Sequence, residues 1–279
     1  MKIGVFAPSS YVERDDIEKS IAAIEASDAQ VFVHPQSYLK HNQSAGTHEE
    51  KLNAMHTLYA DESIDMIWAA GGGNRCLHIL DGIDLKLIKA NPKPMAGFSD
   101  VTALLNFITA KAGIVNIHTP VFRQLSSKDF EFPFPNNMPL DKAIILKNGK
   151  AEGKTLGGNL SLFQYLIDDI DYKGAIIFLE DCNEELSRID RMIVNLKRRG
   201  VFETAAGIVF GQFTDLADSA RPFGFTIEEI IKEHIEGLDI PIVMNAPFGH
   251  GKDNEPFSIG AAGKLDTVSK QPTLTWQSV

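Results

Sequence analysis

Three residues of the sequence carry the side chains of an acyl-transfer site and stand where such side chains can act: Ser99, Glu180 and His250. Ser99 ends the stretch Pro94-Met95-Ala96-Gly97-Phe98 and runs straight into a helical pattern, so its hydroxyl stands at a helix N-terminus, where backbone N–H groups concentrate. Glu180 closes an apolar run at 175–179, and His250 lies between Gly249 and Gly251 after another, at 240–244. A hydroxyl nucleophile, a general base and an acid that orients the base are the parts that make and hydrolyse an acyl-enzyme. Each residue also has a plainer role open to it: Ser99 as a helix cap, Glu180 and Asp181 as caps of the following turn, His250 as a hydrogen-bonding loop residue. With eight histidines and 37 acidic residues in the chain, spacing alone does not choose between these readings.

Neighbouring motifs narrow the chemistry. Gly97-Phe98-Ser99 begins the G-x-S-x-G pattern, but Val101 stands where the second glycine belongs, which predicts either a less sharply kinked turn or a serine that is no nucleophile. Gly71-Gly72-Gly73-Asn74 could aim backbone N–H groups at an oxyanion, or be a plain flexible turn. No G-K-[ST] follows it and no G-x-G-x-x-G fingerprint accompanies it, so a nucleotide cofactor has little support. His48-Glu49-Glu50 with His56 lacks the i, i+4 histidine pair of a zinc helix and reads as a solvated face. Cys76 and Cys182 have no C-x-x-C spacing, so neither a zinc site nor a disulfide framework is expected; Cys182 reads as a small residue near a core strand.

The elements that must position these residues follow from periodicity. Strands are expected at 2–6, 31–33, 65–69 and 114–118, with helices at 15–26, from Thr47 onward with a Thr47/Glu50 capping box, and at 100–111. This alternation predicts an α/β fold: an N-terminal, doubly wound, mostly parallel sheet of flavodoxin-like type. In such a sheet ligands bind at loops after the carboxyl ends of strands, where both the triple glycine and Ser99 fall. The pattern fails from Arg123 to about Asn137. The expected organisation is an N-terminal domain at 1–122, a linker at 123–141 and a smaller C-terminal α/β domain at 142–279. In the second part a strand at 143–146 ends in Lys147-Asn148-Gly149 and should pair with its successor, while Gly157-Gly158-Asn159 should open a helix. Strands at 175–179, 206–210 and 240–244 alternate with helices at 186–199 and 226–236. The linker phenylalanines Phe130, Phe132 and Phe134 are expected to bury against a domain rather than wall a cleft.

Composition bounds the partners. The 279 residues are 44% hydrophobic and 23% charged, with a net charge of −10, as in an ordinary globular chain. The negative balance disfavours nucleic acid and anionic membrane as partners. No apolar run approaches the roughly 18 residues of a membrane span, and the start breaks at Pro8, so a cytoplasmic protein is expected.

The combination is more specific than its members. Gly97-Phe98-Ser99-Asp100-Val101-Thr102-Ala103-Leu104-Leu105 with Ala112-Gly113 and His118-Thr119-Pro120 resembles the nucleophile region of the LD-carboxypeptidase family of serine peptidases, which includes the microcin C immunity hydrolases. So do Gly157-Gly158-Asn159-Leu160-Ser161-Leu162, Phe178-Leu179-Glu180-Asp181 with Arg188-Ile189-Asp190-Arg191-Met192, and Pro247-Phe248-Gly249-His250-Gly251, in the family's order. The resemblance implies a Ser99/Glu180/His250 triad with its site at the domain junction, and an oxyanion hole from the backbone of Asp100, Gly72 and Gly71. It also implies no metal or cofactor and a homodimer, with a small peptide or peptidyl-nucleotide as substrate. Asn74, Asn159 and Arg188 are the candidates for binding it. The activity implied is cleavage of the amide before a C-terminal D-amino acid in murein peptides, as in peptidoglycan recycling, or hydrolysis of a peptidyl-nucleotide in the immunity branch. Ala70 stands where many members have arginine, Gly73-Asn74-Arg75-Cys76 departs from the usual loop, and Ser187 replaces a frequent tyrosine. These departures bear on substrate. A catalytically silent two-lobe binding protein is the alternative from another class.

Overall fold

Five parallel strands begin the chain of the computed structural model, which describes residues 1–25, 29–127, 132–218 and 220–277. They are β1 (Lys2–Phe6), β2 (Gln30–Val33), β3 (Met66–Ala69), β4 (Met95–Gly97) and β5 (Asn116–His118), ordered 2-1-3-4-5 in the sheet. This is the flavodoxin-like order, with its switch point between β1 and β3. β3, β4 and β5 are buried along their whole length, as expected of strands covered on both faces, whereas the edge strand β2 alternates exposed and half-buried residues. The connecting helices are α1 (Arg14–Glu25), α2 (His48–Ala60), α3 (Leu85–Ala90) and α4 (Thr102–Ala112). The capping box at the start of α2 is present, with Thr47 and Glu50 satisfying each other's backbone N–H.

Residues 1–135 form one unit, which also takes in 258–260, and residues 136–257 with 261–278 form the other. A strand from late in the chain, Phe257–Ile259, lies beside β5 as the sixth strand of the first sheet. The core of this unit gathers on Trp68. Phe122, Phe132 and Phe134 ring it at centroid distances of 5.4–6.2 Å, and its Nε1 donates to Pro120 O at 2.9 Å. Phe132 and Phe134 are therefore packing residues, and Phe130 lies outside the described residues.

The second unit is built on β6 (Asn137–Pro139), β7 (Ile144–Lys147), β8 (Lys150–Asn159), β9 (Ile176–Cys182), β10 (Gly207–Thr214) and β11 (Ile242–Met244). Its sheet is completed by β13 (Ala262–Asp266) and β14 (Thr273–Trp276), with β12 being the strand Phe257–Ile259 of the first sheet. The order is 6-14-13-8-9-10-11-7, parallel from β8 to β11 and antiparallel outside them. With eight strands against six this is not the smaller sheet: antiparallel strands flank a parallel centre on both sides. Its helices are α5 (Leu160–Phe163), α6 (Leu186–Arg198), α7 (Val201–Thr204) and α8 (Ile227–Ile235), the last opened by the Thr226/Glu229 capping box.

One local expectation is corrected by the strand pairing, and another is sharpened. β7 pairs antiparallel with β11, not with β8, so Lys147-Asn148-Gly149 reverses the chain without closing a hairpin. Gly157-Gly158-Asn159 is the end of β8 and does open a helix, the short α5, whose N-cap is Asn159. Gly157 lies opposite Phe178 of β9, and a Cβ there would run into the Phe178 carbonyl, so glycine serves close strand approach.

Candidate active site

β4 delivers Ser99 at its carboxyl end. Ser99 has φ +62°, in the left-handed region, and opens a 3₁₀ turn, Ser99–Val101, that leads into α4. Holding a non-glycine residue there costs about 1–3 kcal/mol, which the packed surroundings must supply. The turn is therefore sharp, contrary to the expectation drawn from Val101. The room comes from Gly97 instead: a Cβ there would lie 2.9 Å from Val101 Cγ1 and 3.1 Å from Ala69 Cβ. Ser99 is also not the helix cap, since the cap positions are Phe98 and Val101, neither with a side-chain cap bond.

The glycine loop after β3 lies against this turn. A Cβ on Gly72 would sit 3.2 Å from Ser99 Cβ and 3.5 Å from its Oγ, so only glycine brings this backbone so near. A Cβ on Gly71 would meet Val12 Cγ1 at 2.8 Å. Asp100 turns its carboxylate inward, 3% exposed, where Oδ2 accepts from Ser9 Oγ at 2.7 Å and from Cys76 N at 3.0 Å. Asn74 donates from Nδ2 to Gln43 Oε1 at 2.9 Å. His48 is 3.0 Å from Arg75 Nη2, and burial, then the Arg75 charge, keeps its pKa low.

In the second unit Glu180 is fully buried and its Oε2 lies 2.7 Å from His250 Nδ1. A carboxylate only accepts, so Nδ1 carries the proton and the lone pair of the neutral ring is on Nε2. Both glycines flanking His250 have a steric reason. Gly249 has φ +112°, and a Cβ on it would meet Glu180 Oε2 at 2.8 Å; a Cβ on Gly251 would overlap Gln212 Oε1. The loop is held by Gln212 N donating to Phe248 O at 2.9 Å, by Gly249 N donating to Asn254 Oδ1 at 3.1 Å, and by the Phe248 ring packed edge-on against the stacked Phe178 and Phe257.

Parallel register sets Asn159 opposite Glu180, and its Nδ2 donates to Asp181 Oδ1 at 3.0 Å and to Glu180 Oε1 at 3.4 Å. Asp181 also accepts from Ser161 N, Ser161 Oγ and Cys182 N at 2.7–2.9 Å; its pKa is raised, chiefly by burial. Cys182, two residues beyond Glu180 on β9, hydrogen-bonds His250 as well. Burial disfavours the imidazolium, yet the hydrogen bonds to Cys182 and Glu180 and the Glu180 charge outweigh it, so His250 is held above its ordinary value of 6.5.

The first unit thus gathers Ser99, Asp100, Gly71 and Gly72, and the second gathers Glu180, His250 and Asn159. Arg188 is set apart on the surface, its Nε 3.1 Å from Glu184 Oε2. Sequence reading missed three participants, Cys182, Ser9 and Cys76. Cys182 was findable by strand alternation from Glu180. Ser9 and Cys76 carried no local signal. Among the described residues no group of three or more His, Cys, Asp or Glu is placed to hold a metal ion, and no helix is long and apolar enough to cross a membrane.

Comparison with known proteins places these features in a lineage. Residues 3–119 match the family described as the LD-carboxypeptidase N-terminal domain, and residues 152–265 match its C-terminal domain. The probable murein peptide carboxypeptidase of Bacillus subtilis (strain 168) is 29% identical over 98% of this chain and 91% of its own length. The microcin C7 self-immunity protein of Escherichia coli is 24% identical over 84% of this chain and 80% of its own. In fold, the muramoyltetrapeptide carboxypeptidase of Oxalobacter formigenes superposes with a TM-score of 0.87 at 22% identity, covering 99% of this chain and 98% of that one.

Proposed function

This chain belongs to the LD-carboxypeptidase family of serine carboxypeptidases, and from that premise we propose that it hydrolyses the amide before the C-terminal D-amino acid of a murein tetrapeptide through Ser99, His250 and Glu180. The observation that carries the reading is the buried 2.7 Å bond between Glu180 Oε2 and His250 Nδ1, which fixes the tautomer a general base requires. In the proposed reaction His250 Nε2 takes the Ser99 proton as Oγ adds to the carbonyl carbon. The backbone N–H groups of Asp100 and Gly72, with Gly71 beside them, meet the developing oxyanion. The imidazolium then gives its proton to the leaving amine, the C–N bond breaks, and an acyl-Ser99 ester remains. Water, deprotonated by His250, adds to that ester, and Ser99 leaves with the proton restored. Asn159 supports Glu180 in this scheme rather than touching the substrate directly. A homodimeric, cytoplasmic enzyme of peptidoglycan recycling belongs to the same reading, and light scattering on the purified protein reads the dimer.

The test is a purified protein offered murein tetrapeptide. Release of the terminal D-amino acid, labelling by a serine-directed fluorophosphonate, and loss of both in Ser99→Ala support the proposal. Turnover that survives Ser99→Ala overturns the mechanism. The second reading, hydrolysis of a peptidyl-nucleotide, is favoured by the likeness to the E. coli immunity protein. A peptidyl-adenylate assayed alongside the tetrapeptide separates the two. A silent binding protein would take no label.

A further inference from the structure

Beneath the Ser99 turn lies a group of buried polar side chains that the reaction above does not use. Ser9 and Cys76 are fully buried and Asp100 is 3% exposed. Asp100 Oδ2 accepts from Ser9 Oγ at 2.7 Å and from the Cys76 backbone N–H at 3.0 Å, and Ser9 Oγ lies 3.1 Å from Cys76 Sγ. Burial, then the Asp100 charge, keeps the Cys76 thiol protonated far above its usual range. The single hydroxyl proton of Ser9 is committed to Asp100, so the Cys76 S–H donates to Ser9 Oγ. The three contacts close a ring in which Cys76 donates along two paths, directly from its backbone N–H and through Ser9, and both paths converge on one carboxylate oxygen of Asp100.

The ring joins three loops that follow neighbouring strands. Ser9 follows β1, Cys76 ends the glycine loop after β3, and Asp100 follows β4. Lys51 of α2 is also fully buried, and its Nζ has no hydrogen-bond partner among the described residues. Burial lowers its pKa, and the attraction of the Asp100 carboxylate works against that loss. An ammonium without a hydrogen-bond partner is costly to bury and is retained where its charge is used.

We propose that Asp100 is a positioning residue for the oxyanion hole: its side chain, bonded to Ser9 and to the Cys76 backbone, locks its own backbone N–H and the Gly71–Gly72 loop into one rigid unit. This rests on Ser99 being the nucleophile. The donors of an oxyanion hole act only when preorganised, so loosening the ring weakens transition-state stabilisation and leaves substrate binding nearly intact.

The experiment measures kcat, KM, inhibition by a peptide boronate that forms a tetrahedral adduct with the serine, and affinity for the product peptide. Asp100→Asn is expected to lower kcat and boronate affinity together by roughly 10- to 100-fold, with KM and product affinity within about threefold. Ser9→Ala gives a smaller loss in the same direction, and Cys76→Ser recovers part of what Cys76→Ala loses. The proposal is overturned if folded Asp100→Asn keeps kcat within twofold, or if kcat and product affinity fall in step. Should Asp100→Asn fail to fold, Ser9→Ala decides by the same ratio. Wild-type protein that neither takes the fluorophosphonate nor turns over would instead overturn the reading of Ser99.

Discussion

Ser99, His250 and Cys182 carry the residue-scale consequences. Ser99→Ala is expected to lower turnover by about 10⁴- to 10⁶-fold, since the members of a nucleophile–base–acid set act as one. In the proposed reaction the neutral ring of His250 is the base, and its pKa is raised, so kcat/KM is expected to climb with pH with an acid-limb midpoint above 6.5. Glu180→Gln removes the charge that raises it, so the midpoint falls towards the ordinary value while the maximal rate drops; an unmoved midpoint would mean that another group titrates. The same shift predicts that the ion pair's contribution to stability, full below pH 6.5, is lost as pH rises through the folded value. Cys182 is half-buried and bonded to His250, whereas Cys76 is fully buried. A maleimide added to folded enzyme is expected to block activity in proportion to one alkylated thiol. Cys182→Ala should resist it.

Loop backbones, more than side chains, carry the element scale. The His250 loop can approach Glu180 only because position 249 has no Cβ: an alanine would sit 2.8 Å from Glu180 Oε2 at φ +112°. Gly249→Ala is therefore expected to cost kcat more than tenfold and to shift the acid limb towards 6.5, both visible in one pH–rate profile. Gly72 plays the matching part beside Ser99. How much of the site was legible depends on range. The Ser99, Glu180 and His250 segments each end a strand pattern, which a local reading can find. The reach of Asp100 to Ser9, 91 residues away, left no local trace. The Val101 argument failed because crowding at a tight turn depends on the pair of facing residues, and Gly97 had already relieved it.

At the scale of the whole molecule, the first unit depends on an aromatic centre. Trp68 is fully buried among Phe122, Phe132 and Phe134 and bonded to Pro120 O. Trp68→Ala is expected to cost about 3–5 kcal/mol, read as a lowered denaturant midpoint by circular dichroism. The 2-1-3-4-5 order explains why β1, β3 and β4 share this work: their carboxyl ends lie side by side, so short loops from all three meet at Asp100.

By itself the sequence determined what local chemistry can determine. β/α alternation, two capping boxes and the turn after each apolar run depend on residues a few positions apart, and they fixed the fold class and the strand ends that carry Ser99, Glu180 and His250. Only the tertiary structure decided which strands became neighbours. β7 joined β11 rather than β8, Phe257–Ile259 joined the first sheet, and Gly157 proved to serve strand approach. The bonds that carry Ser9 and Cys76 to Asp100 belong with these, because pairing and burial are set by partners far along the chain, whose cost and gain exist only once the core has closed.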